Sequence, residues 1–154
     1  MSEPAATAAS ADSAPAAGPG LTGARQIGLR SLPPLSMLFL TLGVVQIFLA
    51  GYGVFALDGD KLGSSNETAF DPHRLVGNLM LVVALLVLIA AVVARPGRRL
   101  LIMAVALLVV VGLLGALASA GEDTPFFGGL HALFGIGSLG LASVVLAGSR
   151  RQLA

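Results

Sequence analysis

The chain has 154 residues, of which 56% are hydrophobic and only 11% charged, and its formal net charge is +1. That balance excludes an ordinary soluble domain, and so small a charge, spread along the chain, leaves no electrostatic footprint for nucleic acid. The absence of cysteine excludes a structural disulfide, a thiolate zinc site and a cysteine nucleophile.

Residues 1–30 open with MSEPAATAASADSAPAAGPG, and between Met1 and Leu21 they contain no large apolar side chain. Such a segment cannot bury enough surface to offset its ordering entropy, so a disordered cytoplasmic tail is expected. It has no short apolar region with a cleavage site, as a signal peptide would. Residues 31–151 read as one all-α, polytopic membrane domain. Four uncharged runs, at 35–57, 75–94, 100–120 and 126–148, each supply the roughly 20 residues that a helix needs to cross a bilayer core about 30 Å thick. Pro33-Pro34, Asp71-Pro72, Arg95-Pro-Gly-Arg-Arg99 and Gly121-Glu-Asp-Thr-Pro125 punctuate them as helix boundaries. A soluble bundle would carry charge along one face of each helix, and none of the four runs does.

The longest connection, residues 58–72, contains Asn66-Glu-Thr68, a match to the glycosylation sequon that arises often by chance. Arginine far outnumbers lysine, and Ala, Gly, Leu and Val dominate, which hints at a bacterial source where the sequon would be idle. Arg25, Arg30, Arg95, Arg98, Arg99, Arg150 and Arg151 fall on one side of the predicted helices. Lys61 and Arg74 fall on the other, among Asp58, Asp60, Glu67, Asp71, Glu122 and Asp123. The positive-inside rule then predicts a multi-pass protein of the plasma membrane, a bacterial inner membrane, with both termini cytoplasmic.

His73-Arg-Leu75-Val-Gly77 and His131-Ala-Leu133-Phe-Gly135 share the pattern H-x-L-x-G at the start of the second and fourth runs. The first and third runs align loosely through Val44-Val45-Gln46 and Val110-Val111-Gly112. The expected fold is therefore a four-helix transmembrane bundle of two pseudo-repeated hairpins.

His73 and His131, the only histidines, fall at nearly one depth, about a turn below the outer surface. Gly77 and Gly135 lie one turn below them on the same helical face and leave a flat space there. A haem held edge-on between two helices needs an imidazole from each side and room against the backbone. His73 and His131 are thus candidate ligands of a haem b iron, with Arg74 a candidate partner for a propionate. Gly51, Gly53, Gly112 and Gly115 could open further room or serve ordinary close packing. Structural readings stand beside these: an interfacial histidine can cap a backbone group, Arg74 can pair with Asp71 at the helix entrance, and Gln46 and Asn78 can hydrogen-bond between helices.

With HRLVG on the second helix and a histidine opening the fourth, residues 35–148 resemble one four-helix half of the haem A synthase family, and also small bacterial four-helix membrane proteins of unknown function. The synthase motif H-R-x-x-G matches at His73, Arg74 and Gly77, the Leu113-Leu-Gly-Ala116 stretch falls where the family often has a similar segment, and His131 stands where its fourth-helix ligand would be. The resemblance implies haem ligation by the two histidines. It stops short of synthase activity, because the chain has only one half, lacks the outer-loop cysteines of many members, and carries Phe70 where the catalytic half has a carboxylate.

Two functions follow as expectations. The first is a haem b protein for electron transfer or haem handling, partnered by the bilayer and by a quinone or membrane redox protein, since two histidine ligands leave no open iron position. The second is a cofactor-free membrane subunit or assembly partner, which would associate through small-residue faces such as Gly135, Gly137 and Gly140. A transporter lacks support: no ionisable residue and no proline break lies near the middle of any span.

Overall fold

The computed structural model describes residues 23–56 and 67–154. Four long helices account for nearly all of it: α1 (Gly23–Ala56), α2 (Asp71–Ala94), α3 (Arg98–Asp123) and α4 (Pro125–Leu153), with a short 3-10 turn at Glu67–Phe70 before α2. All four are long and apolar enough to cross a membrane. Their outward faces carry Val44, Phe48, Phe55, Leu75, Val82, Ile89, Val109 and Leu133 exposed, a surface that suits lipid rather than water. Most of residues 1–30, together with Asp58, Asp60, Lys61 and Asn66 of the sequon, lie outside the described residues.

The helices form a ring in which α1 packs on α2, α2 on α3, α3 on α4 and α4 on α1; the two hairpin pairings are the most extensive and the α2–α3 seam the least. Alternating direction brings Arg25, Arg30, Arg95, Arg98, Arg99, Arg150 and Arg151 to one end, and Asp71, Arg74, Glu122 and Asp123 to the other.

Three helix starts differ from the sequence expectation. Helix α1 begins at Gly23 and runs through Pro33 and Pro34, so residues 23–30 are helical and not part of a tail. Proline in a helix removes a donor and crowds the carbonyl four residues back, but here packing outweighs that cost. Leu29 and Leu32 are buried, and Gly28 lies so close to the Ala90 carbonyl and the Ala94 amide that a Cβ would collide with both. Arg25 donates from Nε to the Ala94 carbonyl at 3.0 Å, which satisfies an orphan acceptor at the negative end of α2. Helices α2 and α4 also start earlier than their apolar runs, with proline in the first turn, where its missing N–H costs nothing.

The pseudo-repeat extends well beyond the H-x-L-x-G pattern. Buried Leu32, Ser36, Phe39 and Gly43 of α1 match buried Leu100, Ala104, Leu107 and Val111 of α3 at one constant offset. Buried Met80, Ala84, Val87 and Ala91 of α2 match buried Ser138, Ala142, Val145 and Ser149 of α4 at another. Gly53 receives the Phe70 ring, and the corresponding Gly121 lies against the backbone of Gly128. Under these offsets Gln46 corresponds to Leu114, two residues beyond the Gly112 that sequence alignment pairs with it.

Candidate functional site

The histidines sit on α2 and α4, diagonal helices of the ring, and both rings reach toward its interior. Their centroids are 6.1 Å apart with planes inclined at 51°. Each ring is also tied to the neighbouring helix of its own hairpin: His73 Nδ1 lies 3.2 Å from the Gln46 carbonyl oxygen and His131 Nδ1 lies 2.9 Å from the Leu114 carbonyl oxygen. A carbonyl can only accept, so each Nδ1 carries the proton, and in a neutral imidazole that leaves the lone pair on Nε2. The two accepting carbonyls are pseudo-equivalent, so one histidine setting is built twice.

A cavity of about 750 Å³ surrounds the pair, within the range of about 300–1,000 Å³ typical of small-molecule and cofactor sites. It occupies the half of the bundle away from the arginine end. His73 to Leu81 along its α2 wall spans about 12 Å of helix rise. Below it the core closes over Phe39, Val87, Leu107 and Val145, none of which is accessible.

Of the other residues singled out from the sequence, Gly135 lines the cavity and has open space where a Cβ would stand, whereas Gly77 has the Gln46 amide nitrogen 3.2 Å from that position. The flat space expected beside both glycines is therefore present at Gly135 and partly filled at Gly77. Gln46 uses its side chain to donate from Nε2 to the His73 carbonyl at 2.9 Å, and its Oε1 is buried with no partner among the described residues. Gly112 and Gly115 line the cavity while Gly51 and Gly53 do not. Gly137 and Gly140 face outward with nothing near them. Among the described residues, Arg74 lies 3.7 Å from Asp71 on its own helix and 3.8 Å from Glu122 on α3. Both are long, solvent-exposed pairs that bind the arginine weakly. Phe70 stands edge-on to His73, with centroids 6.3 Å apart.

Sequence reading missed Glu122, which looks like loop punctuation until α3 is seen to carry it over the mouth of the cavity. It also missed the Gln46 and Leu114 carbonyls, which no side-chain pattern could reveal.

Residues 46–121 match the sequence model of a family of unknown function (DUF6220). The match covers His73, Arg74 and Gly77 and ends before α4, so His131 lies outside it. Nothing in it links the chain to haem A synthase. No curated protein and no solved structure matches the chain.

Proposed function

We propose that this multi-pass membrane protein holds one haem b in its cavity, with Nε2 of His73 and Nε2 of His131 as the axial ligands. The observation that carries the reading is the duplicated histidine setting with facing rings. An imidazole–metal bond is about 2 Å long, so two ring nitrogens sharing one metal lie about 4 Å apart and their ring centres about 6 Å apart. The observed centroid distance is 6.1 Å. Metal-binding histidines also typically donate their other N–H to a carbonyl or carboxylate, which fixes tautomer and orientation, and the Gln46 and Leu114 carbonyls do this here. Among the described residues no third His, Cys, Asp or Glu joins the pair into a metal cluster, and a cavity this large suits a macrocycle better than a bare ion.

A haem held by both histidines would supply one-electron chemistry, which favours electron transfer or haem handling over oxygen activation. The chain's own residues have simpler tasks. The two carbonyls hold the rings in place, Phe70 covers the edge of His73, and Gly135 leaves room for the ligand's face. Arg74 offers a cation to an anionic edge at the cavity mouth, where its weak carboxylate pairs are easily exchanged. The arginine end belongs in the cytoplasm under the positive-inside rule, which puts the site near the outer face of the plasma membrane, with a quinone or a membrane redox protein as electron partner.

The deciding test is the absorption spectrum of detergent-purified protein, oxidised and then dithionite-reduced, after expression with ample haem. Sharp paired visible bands on reduction are expected; a colourless protein that also takes up no added haem would sink the proposal. Arg74→Gln should leave the band positions unchanged while weakening haem binding by about fivefold, the worth of one exposed charge pair of about 1 kcal/mol.

The same two hydrogen bonds favour one rival, in which each histidine is a staple for its hairpin in a cofactor-free subunit. That reading expects both alanine variants to lose stability with no pigment at any stage.

A further inference from the structure

The pseudo-symmetry relates the α1–α4 seam to the α3–α2 seam, so the two sides of the cavity can be compared residue by residue. On the α1–α4 side Leu139 fills the space beside Gly43, and a Cβ there would collide with it. The equivalent pair across α2–α3 is Leu81 and Val111, where valine has taken the place of the receiving glycine. One turn higher, Ile47 and Ile136 line the α1–α4 side, whereas their counterparts Gly115 and Asn78 line the other. The α2–α3 seam thus has a valine at its floor where the other seam has a glycine, carries smaller or more polar side chains above it, and is the least extensive pairing in the ring.

The side chains on this seam differ in chemistry as well as size. Gly112, Gly115, Ala118 and Ser119 of α3 face the cavity as exposed small residues. Across from them Asn78 is exposed within an apolar helix and makes no side-chain hydrogen bond among the described residues. At the top, the Arg74–Glu122 pair spans the seam at 3.8 Å with both side chains more than half exposed. An ion pair so long and wet opens at little cost.

From this asymmetry we infer that the seam between α2 and α3 is a lateral portal, through which the site exchanges haem with the bilayer. The inference rests on the haem reading and deepens it: a site that opens to lipid loads and releases its ligand, so the protein hands haem on rather than sealing it in. An amphiphile dissolved in the membrane reaches the seam with its apolar body in the hydrocarbon and its carboxylates at the depth of Arg74, and it enters past small residues without unfolding a helix.

The test copies one seam onto the other. Asn78→Ile with Gly115→Ile gives the α2–α3 side the residues of the closed side. Because those isoleucines could disturb folding, a second variant carries Asn78→Cys and Gly115→Cys. The chain has no other cysteine, so a short bis-methanethiosulfonate linker bridges the seam specifically and dithiothreitol removes it. Loading is followed from haemin-containing phosphatidylcholine vesicles to apoprotein in proteoliposomes, and release from preloaded protein to empty vesicles. Bridging should slow both about tenfold or more, since a portal acts on entry and exit alike, and the original rates should return on reduction. Equal rates with and without the bridge would overturn the portal and leave the haem reading standing. Wild-type protein that takes up no haem would overturn both.

Discussion

His73→Ala and His131→Ala should each abolish the paired visible bands and weaken haem binding by well over about 100-fold. Loss of an outer-shell partner alone typically costs a metal site about 10–100-fold, so loss of a ligand must cost more. The two variants should behave alike, because each removes one member of a setting that the fold builds twice. Gln46→Leu is the control. It deletes the side-chain bond from Gln46 Nε2 to the His73 carbonyl, but it keeps the backbone carbonyl that orients the ring, and it reproduces the leucine found at the equivalent position in the other hairpin. Its spectrum should match that of the wild type. If either alanine variant kept the wild-type bands, the iron would not be held by this pair; if Gln46→Leu lost them, the orienting group would be the glutamine side chain and not the main chain.

How far the sequence could lead to this site depends on what kind of atom does each job. Spans and hairpin repeat were legible because they rest on apolar length and on H-x-L-x-G, and both are written in side chains. The equal depth of His73 and His131 followed directly. The register between α1 and α3 was misread because Val44-Val45-Gln46 resembles Val110-Val111-Gly112 in letters. The true equivalence of Gln46 with Leu114 appears only in which positions of α1 and α3 are buried and in the carbonyl groups that meet the histidines, which every residue owns. The start of α1 was hidden for a related reason: Pro33-Pro34 reads as the opening of a helix, whereas the contact of Gly28 with the α2 backbone is a tertiary effect. The site's asymmetry was the least legible feature of all, since Gly43 and Val111, or Ile47 and Gly115, acquire opposed meanings only after the two hairpins are superimposed.

The bundle below the site should be separable from the site itself. Phe39 and its pseudo-equivalent Leu107 are both inaccessible, and Phe39→Ala should be the most destabilising single truncation in the core. A buried phenylalanine cut to alanine costs about 3–5 kcal/mol in soluble proteins. In a bilayer that figure is an upper bound, because separated helices already lie in an apolar solvent and the transfer share is lost. What remains is the cavity, for which about 2–3 kcal/mol is expected, read as the shift in midpoint when mixed micelles are titrated with a denaturing detergent. The exchange Phe39→Leu with Leu107→Phe conserves volume and should cost less than about 1.5 kcal/mol, because the two positions occupy matching places in the repeated core. A cost for the exchange as large as that of Phe39→Ala would mean that the halves have diverged in shape and not only in residue identity. Both variants should retain the paired bands after haem loading, since the histidine–carbonyl bonds lie toward the other end of the bundle, where the repeat was left open around a cavity rather than filled.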